Sequence, residues 1–162
     1  MITKAIEFAT KKHSGQFRKI TGLPYVTHPI EVARLVEQFK SSKNMTELKV
    51  AALLHDTLED TNATFSEIAM EFSPLIASLV FELTSDSLEI KKTSKCEYLK
   101  RKMLGMSSYG LFIKLCDRLS NLRDNPTEKS KSDTKAILEF LKANRKLSLS
   151  QLSVIQEIEL CY

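Results

Sequence analysis

The chain has 162 residues, 43% hydrophobic and 27% charged, with a formal net charge of +4. That balance predicts one globular domain and excludes a disordered, collagen-like or low-complexity chain. The basic excess is too small to argue a nucleic-acid footprint, so no nucleic-acid partner is expected.

No apolar run approaches the ~20 residues that cross a bilayer. Charges interrupt the amino-terminal MITKAIEFATKK where a signal peptide would be apolar. No membrane partner is expected, and the cytosol is the predicted location. Cys96, Cys116 and Cys161 show no CxxC spacing, which predicts isolated packing thiols rather than disulfides or a cysteine zinc site.

The predicted elements are helical throughout. Ile2, Ile6, Ala9 and His13 line one side of a first helix that ends near Gly15. Val32, Leu35, Val36 and Phe39 form an apolar stripe on a second helix, with Pro29 in its first turn. Asn44 followed by Glu47 resembles a capping arrangement for a helix through LKVAALLHDTLED. Two shorter helices, Phe65 to Phe72 and Leu75 to Leu83, are split at Ser73-Pro74. The polar TSDSLEIKKTSK reads as a loop, and SSKN and EKSKSD read as surface turns. Further helices are predicted over Lys95 to Met106, Gly110 to Asp124, Asp133 to Ala143 and Leu149 to Leu160. The expectation is an all-α fold of about seven to nine helices.

Histidine is scarce, at His13, His28 and His55 only, and two of these, His28 and His55, stand in unusual company. His55 is followed by Asp56, Glu59 and Asp60, directly after the apolar VAALL. On a continuous helix His55 stands one turn before Glu59, and Asp56 one turn before Asp60. An apolar stretch leading into acids buries part of them. Uncompensated buried charge is costly, so a bound cation accounts for the cluster. His28, between Pro24-Tyr25 and Pro29, and Asp117, inside FIKLCDRLSNLRD, are candidates for further ligands. Such imidazole and carboxylate donors suit Zn, Fe, Mn or Co. The bland alternatives are a core histidine and an Asp117 ion-paired with Arg118 or Arg123. His13 reads as a core residue or one behind the ligands, and Tyr25 as a group that packs on or orients His28.

Taken together, H…HD…D in His28, His55-Asp56 and Asp117 resembles the HD-domain metallophosphohydrolases. The stretches HSGQFRKITGLPYVTHPIEVARLV, AALLHDTLEDT and IKLCDRLSNLRD are similar to three motifs of the hydrolase domain of the RelA/SpoT alarmone enzymes, in family order. The likeness covers roughly residues 1–125. At this length the chain resembles the stand-alone small alarmone hydrolases, the type that animals have as SpoT homologues.

The resemblance implies one HD-type domain over residues 1–162, with the helical segment 126–162 packed on it. It implies removal of the 3′-pyrophosphate from ppGpp or pppGpp, a small-molecule nucleotide substrate, with one Mn²⁺ ion. His28, His55, Asp56 and Asp117 match the metal ligands. Glu59 and Asp60 match the acidic pair that positions or activates the attacking water. Arg18 and Lys19 match the pair that meets the nucleotide, where a guanidinium stacks or forks as Lys does not. Asn121, one turn past Asp117, matches a substrate-side Asn.

The chain departs from the family pattern at Ser120, Cys116 and Phe72-Ser73-Pro74. None of these replaces a ligand or an acid, and Ser120 bears on nucleotide recognition. The alternative readings are a phosphohydrolase of another nucleotide (ppApp, NADPH or a dNTP) and an alarmone-binding protein without turnover. The amphipathic tail suits either the core or a dimer contact.

Overall fold

The computed structural model describes residues 1–124 and 126–162, and these hold eleven helices. In chain order they are α1 (Ile2–Lys12), α2 (Thr27–Phe39), α3 (Met45–Leu54), α4 (Thr57–Asp60), α5 (Phe65–Glu71), α6 (Pro74–Leu83), α7 (Ser87–Lys92), α8 (Lys95–Gly105), α9 (Ser108–Arg123), α10 (Glu128–Asn144) and α11 (Leu149–Glu159). Among the described residues, extended pairing is limited to one bridge between Phe17 and Pro24. The all-α expectation holds. Setting aside the four-residue α4 and the six-residue α7 leaves nine helices of the eleven. No helix is long and apolar enough to cross a membrane among the described residues.

The residues gather into two compact units, Met1–Thr84 and Ser85–Tyr162. In the first, α3 is the centre. Its Leu48 and Val50 to Leu54 are all buried, as expected of a helix that is apolar on nearly every side. It packs against α1, α2 and α6, while α5 packs on α6. Small Ala5 and Ala9, fully buried on α1, let α1 lie close to α3. In the second unit, α9 buries Leu111, Phe112, Ile113, Leu115, Cys116, Leu119 and Leu122. The helices α10 and α11 pack on it, and α8 packs on α10.

From α5 onward every helix starts on a side-chain cap. Ser73 accepts from the Ile76 amide with Pro74 in the first turn. Ser148 and Gln151 form a reciprocal capping box.

Three local expectations change. The segment read as a loop contains α7, because the Asp86 carboxylate accepts from the Leu88 and Glu89 amides. Glu128 to Asp133 is helical rather than a turn, because Thr127 caps α10 from the Ser130 amide. Asn44 does not cap α3 with its side chain. Its own N–H donates to Ser42 Oγ at 3.2 Å, and its φ of −99° and ψ of 28° lie outside the extended backbone of a capping residue.

The helix expected through LKVAALLHDTLED is interrupted at His55 and Asp56. Two side chains take carbonyls of its last turn. His55 Nδ1 bonds Ala52 O at 2.7 Å and Thr57 Oγ1 donates to Leu54 O at 2.7 Å. Competition of this kind ends a helix locally.

Candidate active site

The first unit carries the densest cluster of ligating side chains. His28 enters from the first turn of α2, His55 caps the end of α3, and Asp56 precedes α4. One ligand atom from each lies within 4.8 Å of the others. Asp56 Oδ2 is 3.1 Å from His55 Nε2 and 3.7 Å from His28 Nε2. The two imidazoles meet edge to face with centroids 5.2 Å apart. Both histidines are buried, and the Asp56 carboxylate is 13% exposed.

The hydrogen bonds around the cluster set its chemistry. Ala52 O accepts only, so the proton of a neutral His55 is on Nδ1, and Nε2 presents its lone pair toward Asp56. A lone pair 3.1 Å from a carboxylate oxygen is relieved by positive charge between them. This orientation of the ring by a backbone carbonyl is the usual support behind a ligating histidine. Tyr25 Oη donates to Asp56 Oδ2 at 2.7 Å and so fixes that carboxylate. The donor set of two imidazoles and one carboxylate fits a borderline divalent ion.

Glu59 and Asp60 lie on the short α4, both exposed. The Asp60 amide donates to Asp56 O at 2.9 Å, which keeps one helical turn between the two despite the break. The Asp60 carboxyl is held above the ordinary carboxylate range. Partial burial is the main cause, followed by repulsion from Asp56 and Glu59, with His13 and His55 opposing.

Arg18 and Lys19 sit in the loop from Phe17 to Pro24, which precedes α2. That loop is closed by the Arg18 N–H to Leu23 O bond at 2.8 Å. Phe17, Ile20 and Leu23 stand exposed along the same loop.

In the second unit, Asp117 and Asn121 share a face of α9, with Asn121 Nδ2 donating to Asp117 Oδ1 at 2.7 Å. The ion-pair partner weighed for Asp117, as the bland alternative to metal ligation, was Arg118 or Arg123. It is Lys114 instead, at 2.9 Å and one turn earlier on the buried face. Arg123 pairs with Glu157 at 3.0 Å.

Sequence reasoning read Tyr25 only against His28, and the ring does stand edge-on to it at 5.9 Å. The hydrogen bond to Asp56 was missed. Gln16 was also missed. Its one available signal is the polar position between Gly15 and the basic pair, which says nothing of its distant partner Asp60.

An HD-domain family model matches residues 5–146. The chain belongs to the HD-domain family. It is 39% identical over 131 residues to the guanosine-3′,5′-bis(diphosphate) 3′-pyrophosphohydrolase MESH1 of Xenopus tropicalis, covering 76% of this chain and 69% of that one. The Homo sapiens protein of the same name is 40% identical over 125 residues, covering 76% and 68%. A solved structure described as a metazoan ortholog of SpoT that hydrolyzes ppGpp superposes with a TM-score of 0.78 at 28% identity. It covers 98% of this chain and 94% of that one. The family and fold implied by the three motifs are therefore those found, and His28, His55 and Asp56 form a group that could hold a divalent metal ion, in keeping with an HD domain.

Proposed function

We propose that this protein hydrolyses the 3′-pyrophosphate of ppGpp and pppGpp to give GDP or GTP and pyrophosphate, with one Mn²⁺ ion, as a single cytoplasmic domain. The observation that carries the reading is a buried two-histidine, one-aspartate cluster in a chain about 40% identical to 3′-pyrophosphohydrolases of that substrate. His28, His55 and Asp56 would hold the ion, with Asp117 as the fourth ligand on the strength of its motif. When bound, a divalent ion lowers the pKa of water and polarises a phosphoryl oxygen.

The remaining work falls to the chain's own groups. Glu59 and Asp60 orient the attacking water and take up its proton. A carboxyl held above its usual range makes Asp60 a stronger proton acceptor than an ordinary aspartate. Tyr25 holds the Asp56 carboxylate in place through its hydroxyl. The Arg18 guanidinium and Lys19 ammonium meet the nucleotide from their loop, and Asn121 contacts substrate from α9.

The test is a panel of ppGpp, pppGpp, ppApp, NADPH and dNTPs with the Mn²⁺-loaded protein, products resolved by anion exchange. The reading requires GDP and pyrophosphate from ppGpp, with kcat/KM at least about tenfold above the others. A better substrate elsewhere in the panel reassigns the nucleotide. No turnover with metal bound leaves a binding protein.

A further inference from the structure

We infer that His13 and Gln16 are positioning residues that lock the acidic α4 turn to the end of α1, holding Glu59 and Asp60 for the reaction proposed above. Neither residue belongs to the ligand or acid set, yet both connect to it.

The chain turns at Gly15, whose φ of +80° is open to glycine, and this brings Gln16 back against α1. All four polar groups of Gln16 are then used. Its N–H donates to His13 O at 3.0 Å and its carbonyl accepts from the Tyr25 N–H at 2.9 Å. Its side-chain Nε2 donates to Asp60 O at 2.8 Å, and its Oε1 meets His13 Nδ1 at 2.8 Å. The donation to a carbonyl fixes which way the amide points. Oε1 therefore accepts, and the His13 proton is on Nδ1.

His13 also packs against the Tyr25 ring, centroids 4.8 Å apart and planes tilted by 39°, and Tyr25 donates to Asp56. The polar line from His13 runs through Gln16 to Asp60, whereas its contact with Tyr25 is one of packing, which a leucine also provides.

Packing alone does not account for the imidazole. His13 is 3% exposed, and its Nε2 has no hydrogen-bond partner among the described residues. A phenyl or aliphatic side chain would fill the same space without a buried unmatched acceptor. What the imidazole adds is the Nδ1–H that holds Gln16.

The test compares Gln16→Glu, His13→Leu and His13→Asn in the Mn²⁺-loaded protein. Gln16→Glu keeps the shape and the acceptor for His13 but sets a carboxylate oxygen against Asp60 O. His13→Asn supplies an N–H in place of Nδ1–H, and His13→Leu does not.

Amide exchange over residues 57–61 reads the lock without substrate. It should quicken about tenfold in Gln16→Glu and His13→Leu and stay near wild type in His13→Asn. In ppGpp turnover, kcat should fall roughly 10- to 100-fold in the first two, as for losses behind a metal site. KM and Mn²⁺ affinity should stay within about threefold, and His13→Asn should restore most of kcat. The inference rests on the ppGpp reading only for turnover. A wild type inactive on ppGpp with the exchange effect present would sink that reading and leave the lock standing. Unchanged exchange in Gln16→Glu, or a kcat loss matched by lost metal and melting temperature, would overturn the lock. Gln16 is half-buried, so its variant folds even where His13→Leu does not.

Discussion

Replacing Tyr25 by Phe removes one oxygen and tests how the metal group is held. The phenol donates to Asp56 Oδ2 at 2.7 Å, the same oxygen that stands 3.1 Å from His55 Nε2. A hydrogen bond to a charged acceptor contributes about 1.5–3 kcal/mol. The Asp56 side chain is only 13% exposed, so water replaces the lost donor poorly. At about 1.4 kcal/mol per tenfold, the full loss corresponds to roughly 10- to 150-fold in metal affinity. Part of it falls on the stability of the metal-free protein, so the expected rise in Kd is about 5- to 100-fold. The ring contacts to His13 and His28 stay, which separates this effect from a packing defect. The assay is calorimetric titration of Mn²⁺ into metal-stripped Tyr25→Phe and wild type, with a melting curve for each. A Kd within about threefold of wild type and an unaltered melt would refute the orienting role.

Glu59→Gln should keep Mn²⁺ binding and lose about 100-fold or more in kcat, since shape is kept and the proton acceptor is not. An unchanged kcat would make Glu59 structural. Arg145→Met should destabilise the protein by about 1–3 kcal/mol in urea unfolding, because Arg145 donates to the carbonyls of Met103, Leu104 and Met106 at the end of α8. A loss under a few tenths would mean that water serves those carbonyls equally well. Cys116 should resist a thiol reagent at pH 8 until denaturant is added, since burial and the Asp117 charge push its thiol far up. The half-buried Cys96 and Cys161 should label in the native protein. Equal labelling of all three would contradict the packing of α9.

The helical class and most helix spans were legible because apolar spacing and caps act locally. Ser73-Pro74 marked its helix start, and the stripe of Val32, Leu35 and Val36 marked the buried face of α2. The errors fell where polar segments decide their structure by one side chain. Asp86 makes α7 from a stretch that composition reads as loop. The break at His55 was hidden because LKVAALLHDTLED has helical periodicity throughout. Only the donations from His55 and Thr57 to preceding carbonyls end α3 there.

The motifs named His28, His55 and Asp56, and the fold brings those three together. The supports behind them join residues far apart in sequence. Gln16 meets Asp60 across 44 positions, and Tyr25 meets Asp56 across 31. No local pattern encodes such pairs. The Lys114 partner of Asp117 was within reach of helical spacing, one turn earlier, but cations at Arg118 and Arg123 offered a rival reading.

The most direct measurement of the central claim is turnover of ppGpp by metal-stripped protein as Mn²⁺ is titrated back, run beside Asp56→Ala. The stripped wild type should be inactive, its rate should rise with occupancy of one site, and Asp56→Ala should neither bind tightly nor turn over. A stripped protein at full rate, or an active and metal-replete Asp56→Ala, would contradict that claim.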